Sequence, residues 1–148
     1  MEETSRHEKL VSALRRLILL EIFLIPGLVV ALFVEERWFP PEVRAFVAAR
    51  AEQPLTWLEW LLAGISIPLV ILLVTSWFML WHLRPSGRVL YTVVWAISMV
   101  VYFFDPVQVS GGLSLLLTEI AALVAGVILG LIYFSDLRIH FDHGRLPN

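Results

Sequence analysis

The sequence predicts an all-α integral membrane protein, a four-helix bundle with both termini cytoplasmic and a short interfacial helix in the first outer loop. Three observations carry that prediction. Hydrophobic residues make up 59% of the 148-residue chain and charged residues only 16%, with a mean hydropathy of +0.81, outside the range of ordinary soluble domains. Four apolar runs, about 17–34, 57–83, 89–104 and 113–134, are near or above the ~20 residues needed to cross ~30 Å of hydrocarbon. The basic residues are distributed unevenly about those runs.

Each spanning run is expected to be α-helical, because hydrocarbon offers the backbone no water partners and the alternation of a barrel strand is absent. The first run follows a basic stretch, and Val29-Val30-Ala31 loosely fits a signal-peptide cleavage site. Glu21 and Pro26-Gly27 inside the run argue against removal, so it is read as a retained span. The connection "ERWFPPEVRAFVAARAEQP" leaves the membrane yet has helical spacing. Pro41 suits a first turn, and Val43, Phe46 and Val47 share one side, which predicts an outer-surface helix over about 41–52. Trp38, Phe39 and Trp57 are expected to mark one interface, and Trp77 and Trp81 the other.

Between the second and third runs "LRPSGR" reads as a tight turn, which makes them an antiparallel hairpin. The third run is the shortest. "DPVQVSGG" at 105–112 turns the chain back into the fourth. Arg6, Lys9, Arg15, Arg16, Arg84, Arg88, Arg138 and Arg145 all fall on one side of this plan, against Arg37, Arg44 and Arg50 on the other, where Glu35, Glu36, Glu42 and Glu52 partly offset them. That asymmetry places both termini in the cytoplasm. With no evident repeat and no low-complexity linker, residues 1–148 form a single membrane domain.

Several acids fall within or beside the apolar runs. Glu119 stands in "LLLTEIAALVAGVILGLIYF", and helical geometry returns Gly126, Gly130 and Tyr133 to within about 40° of its direction, with Ala122 flanking. Ala122, Gly126 and Gly130 have the small-residue spacing that admits another helix, so this face is expected to meet protein rather than lipid. In the third run Tyr91, Trp95, Ser98, Tyr102 and Asp105 follow one side, and in the second Glu59, Ala63, Ser66 and Val70 do the same. By depth, Glu59, Tyr102, Asp105 and Glu119 belong to the outer half, and a polar cluster of Glu59, Tyr102 and Glu119 is expected there, either as hydrogen-bonded staples or as titrating groups. Glu21 lies apart, near the cytoplasmic end of the first span, with Tyr91, Trp95 or His82 as candidate partners.

Other chemistry is poorly represented. A net charge of −2 gives no field for nucleic acid, and the absence of cysteine removes thiol chemistry and disulfides. His140, Asp142 and His143 in "HFDHG" form an incomplete ligand set, so no metal or other cofactor is expected. No G-x-S-x-G, H-E-x-x-H or P-loop pattern occurs, and all four histidines fall on the cytoplasmic side.

The segment "LTEIAALVAGVILGLIYFSDLRIHF" resembles the final helix of uncharacterised small four-span inner-membrane proteins of proteobacteria. The likeness covers the last third of the chain and implies a multi-pass protein of the bacterial inner (cytoplasmic) membrane. In span number, and in an acid within helix one at Glu21, the chain is also similar to small multidrug resistance transporters. It departs from them in its long first connection, in "LILLEIFLIPG" around the acid and in its further acids. The functional expectation is a non-enzymatic accessory or regulatory subunit, whose partners are the bilayer and another membrane protein or a second copy of itself. The alternative is a small transporter or proton-coupled carrier using an intramembrane Glu.

Overall fold

A computed structural model of the chain describes residues 2–104, 111–138 and 141, with side chains from residue 6 onward. Its helices are α1 (Glu2–Glu35), α2 (Pro41–Ala51), α3 (Trp57–Trp81), α4 (Pro85–Phe104) and α5 (Gly112–Phe134). Four of them, all but α2, are long and apolar enough to cross a membrane. The expected spans therefore appear as helices, with α1 extended toward the N-terminus and α4 starting four residues early. Asp105 and the tail residues His140, Asp142, His143 and Arg145 lie outside the described residues.

The bundle consists of two antiparallel pairs, α3 with α4 and α1 with α5, joined by α1 against α3. On α1 the inward positions are Leu14, Ile18, Glu21, Leu24, Leu28, Ala31 and Glu35. Steps of three and four along that series hold one seam toward the other helices. On α5 the answering seam is Ser114, Val124, Ala125, Ile128 and Ile132. The core they form with Trp77, Leu80 and Tyr91 lies toward one end, which also carries Arg15, Arg84 and Arg88 and is called here the arginine end. The buried residues of α3 and α4 lie at Leu69 and beyond in α3 and up to Val94 in α4. Toward the α2 end the same helices expose Trp60, Leu61, Met99 and Phe103.

Two expected faces turn the other way. Ala63, Ser66 and Val70 are exposed, because α3 packs through Leu62, Ile65, Leu69 and Leu73 instead. The α4 stripe is buried at Tyr91 and half-buried at Trp95 and Ser98, but Tyr102 is 68% exposed.

Local chemistry explains the turns. Leu83 adopts a left-handed conformation (φ 53°), and the Arg84 amide reaches the Met79 carbonyl at 2.9 Å while the Leu83 amide reaches Leu80 at 2.9 Å. These two bonds make a Schellman ending for α3, which delivers Pro85 to the first turn of α4. Gly87 then crosses α3 at close range: a Cβ there would sit 2.7 Å from Met79 Cβ and 2.9 Å from the Leu80 nitrogen. At the α2 end, α3 begins with a capping box between Thr56 and Glu59. α2 has no buried residue, and its Arg50 pairs with Glu59.

Gly87→Ala should therefore force the α3–α4 hairpin apart and cost about 1–3 kcal/mol, the usual range for overpacking. Thermal unfolding of the detergent-solubilised protein, read by near-ultraviolet circular dichroism, checks this against Gly64→Ala, where a Cβ meets nothing within 4 Å.

Candidate functional site

Among the described residues two carboxylates are buried, and both come from the α1 seam. Glu21 is 2% exposed and Glu35 is 4% exposed. Their separation of fourteen residues corresponds to about 21 Å of helix and four turns, so both carboxylates point to the same side.

At Glu21, Oε2 accepts from Trp77 Nε1 at 2.8 Å, and Tyr91 Oη lies 2.9 and 3.0 Å from the two carboxylate oxygens. Trp77 comes from the last turns of α3 and Tyr91 from the second turn of α4, so one side chain of α1 ties both members of the hairpin. Trp95, one turn beyond Tyr91, presents its indole near the same carboxylate. Its ring meets Tyr91 edge-on at 6.4 Å, and its buried Nε1 has no hydrogen-bond partner among the described residues. An indole N–H can only donate, so the surroundings favour a group that accepts. No cation among the described residues forms an ion pair with Glu21. Toward the arginine end the next cations on α1 are Arg16 and Arg15, about 8 and 9 Å away along the axis, and the Arg15 guanidinium sits over the Trp81 ring at 5.3 Å. Arg88 sits likewise over Tyr133 at 5.1 Å, and Thr92 and Tyr133 share a 2.9 Å hydrogen bond that joins α4 to α5.

At the opposite end of α1, Glu35 takes the place of an N-cap for α5. Gly111 at that position has no side chain to offer. The Glu35 carboxylate accepts instead from the backbone amides of Gly111 at 3.1 Å, of Ser114 at 2.9 Å, and of Leu113. Orphan amides and the positive end of the helix dipole are satisfied together by this charge. A Cβ at Gly111 would lie 2.6 Å from Glu35 Oε1, so only glycine admits the carboxylate this closely.

The outer polar cluster expected from depth does not assemble. Glu59 is occupied at the start of α3, where Oε2 accepts from the Thr56 amide at 2.6 Å and Thr56 Oγ1 at 2.8 Å, and where Arg50 pairs with it. Tyr102 and Glu119 are exposed on α4 and α5, and among the described residues neither bonds to the other or to Glu59. Depth placed these groups at one level, but helix rotation separates them. Ala122 and Gly126 are also exposed, Gly130 is half-buried, and a Cβ added at either glycine meets nothing within 4 Å. Among the described residues the small-residue face is unpartnered, since α5 turns its larger aliphatic seam to α1.

Tyr91 and Trp95 thus stand near Glu21 as the sequence suggests, whereas His82 instead places Nδ1 2.8 Å from the Phe78 carbonyl oxygen. Trp77 is a buried donor to Glu21 and not an interfacial anchor. From the sequence Glu35 reads only as a loop charge. Its signals were the fourteen-residue spacing from Glu21 and a helix start, "SGGLS", that lacks a capping side chain. No family model matches the sequence, and no curated protein or solved structure matches it either.

Tyr91→Phe should remove one donor from a buried carboxylate and destabilise the bundle by about 1–3 kcal/mol, measured as a lower midpoint in thermal unfolding. Glu35→Ala should also lower that midpoint, and Glu35→Gln should lower it less, because the amide oxygen still accepts from one backbone N–H. Equal midpoints for Glu35→Ala and wild type would show that α5 needs no cap from α1.

Proposed function

We propose that this chain is a non-enzymatic accessory or regulatory subunit of the bacterial inner membrane, with both termini in the cytoplasm, that packs through α5 against another membrane protein or a second copy of itself. The observation that carries this reading is the exposed face of Glu119, Ala122 and Gly126, continued by Gly130, where a Cβ added at either glycine would meet nothing within 4 Å among the described residues. Small residues let a second backbone come close, and a carboxylate facing lipid gains most from a neighbour that donates to it. Among the described residues Glu21 and Glu35 are already bonded within the fold, which leaves Glu119 as the acid on a membrane-length helix most open to a partner.

The sequence contains no cysteine, which makes the test direct. Ala122→Cys should give a disulfide-linked or bis-maleimide-linked species in native membranes, while Val70→Cys on the exposed side of α3 should not. Gly126→Leu should abolish the species formed by Ala122→Cys. A monomer by native mass in mild detergent, with no second protein in stoichiometric amount and no cross-link from Ala122, would overturn the proposal.

A second reading, a proton-coupled carrier, is favoured by one observation: Glu21 sits within the bundle among Trp77, Tyr91 and Trp95 with no ion-pair partner among the described residues. Glu21→Gln decides it in liposomes. A carrier loses pH-dependent flux, whereas a wild-type protein without flux is held to the structural role of this acid.

A further inference from the structure

Where α1 passes the α3–α4 turn, a surface groove of about 500 Å³ is lined by Glu8, Ser12, Arg15, Arg16, Leu19 and Leu83, among others. It adjoins a second groove of about 620 Å³ that shares Ser12 and Arg16 and adds Lys9. Lys9, Ser12, Arg16, Leu19 and Phe23 are all exposed and succeed one another in steps of three and four, so they share one stripe on α1. That stripe changes character along its length. Its first three residues present an ammonium, a hydroxyl and a guanidinium, and its last two are apolar, with Phe23 72% exposed. The change falls beside Trp81, the last residue of α3, over whose ring Arg15 stacks at 5.3 Å. Stacking holds Arg15 against the end of α3 and leaves the edge of its guanidinium free to donate. Neither Arg15 nor Arg16 forms an ion pair with a carboxylate among the described residues.

We propose that this stripe and groove form a binding site for one anionic phospholipid, its phosphate held by Lys9, Ser12 and Arg16 with Arg15 alongside, and an acyl chain running along Leu19 and Phe23. Charge sets the class of lipid. Three cations face one carboxylate, Glu8, across the grooves. A phosphodiester with no cationic headgroup gains from that surplus, whereas a choline or ethanolamine headgroup brings its own cation against it. The polar-to-apolar order along α1 then distinguishes a lipid from a free phosphate, which has nothing to place on Leu19 and Phe23.

Native mass spectrometry of the delipidated full-length protein in mild detergent tests this. Titration with phosphatidylglycerol should give one bound lipid per chain at concentrations where phosphatidylcholine is not retained. Arg16→Gln should weaken phosphatidylglycerol binding roughly fivefold, and Lys9→Gln with Arg16→Gln about thirtyfold. Both variants leave Arg15 on Trp81 and should keep the wild-type circular dichroism and melting midpoint. Phe23→Ser should weaken the lipid while leaving any competition by inorganic phosphate unchanged. Equal retention of phosphatidylcholine and phosphatidylglycerol by the wild-type protein would overturn the proposal, as would variants that bind like wild type. Full displacement of the lipid by millimolar inorganic phosphate would overturn it too, since the site would then recognise phosphate alone.

Discussion

A carboxylate held between three helices organises this bundle. In a membrane, apolar side chains gain little by meeting one another instead of lipid, so burial alone does not choose which helix faces meet. A polar group in the same place does choose, because leaving it without partners is expensive. Glu21 accepts from Trp77 on α3 and Tyr91 on α4, and these contacts fix the rotation of both helices about α1. Sliding either member of the hairpin by one residue would turn its donor away.

Glu35 does the same for α5 at the far end of the seam. Its bonds to the Gly111, Leu113 and Ser114 amides place the start of α5 against the end of α1, and antiparallel packing through Val124, Ile128 and Ile132 follows. α1 is thus the common partner, touching α5 along the pair and the hairpin through Glu21. The hairpin has its own device in the close crossing at Gly87. Packing is strongest at the arginine end, where Arg15, Arg88, Thr92 and Tyr133 add cation–π and hydrogen-bond contacts to the core. Toward the α2 end α3 and α4 turn large apolar residues outward, as helices facing lipid or another protein do.

The surface divides in a related way. The face of α5 with Glu119, Ala122 and Gly126 lies on a helix long and apolar enough to cross a membrane, whereas the Lys9–Phe23 stripe of α1 passes from polar to apolar residues along its length. Neither belongs to the seam, and substitutions on them act on what the bundle meets more than on how it folds. Glu59, by contrast, is absorbed by the first turn of α3, where Thr56 and Arg50 use both of its oxygens.

The sequence by itself determined the elements: four apolar helices, the short α2 after Pro41, the turn at "LRPSGR" and the aromatic residues near the ends. These follow from local rules of length, hydropathy and backbone breakers, which need no knowledge of neighbours. It also suggested Tyr91 and Trp95 for Glu21, since depth along α1 and α4 can be counted. Only the tertiary structure decided which acids are enclosed. Glu119 looked inward because it shares a face with small residues, yet α5 packs through its larger aliphatic seam and leaves that face outside. Glu35 looked like a loop charge, yet it caps a helix that begins 77 residues later at Gly112. Helical periodicity gives the angle between two residues of one helix, but the rotation of one helix against another is set by contacts between distant parts of the chain. Here those contacts are the hydrogen bonds of two carboxylates.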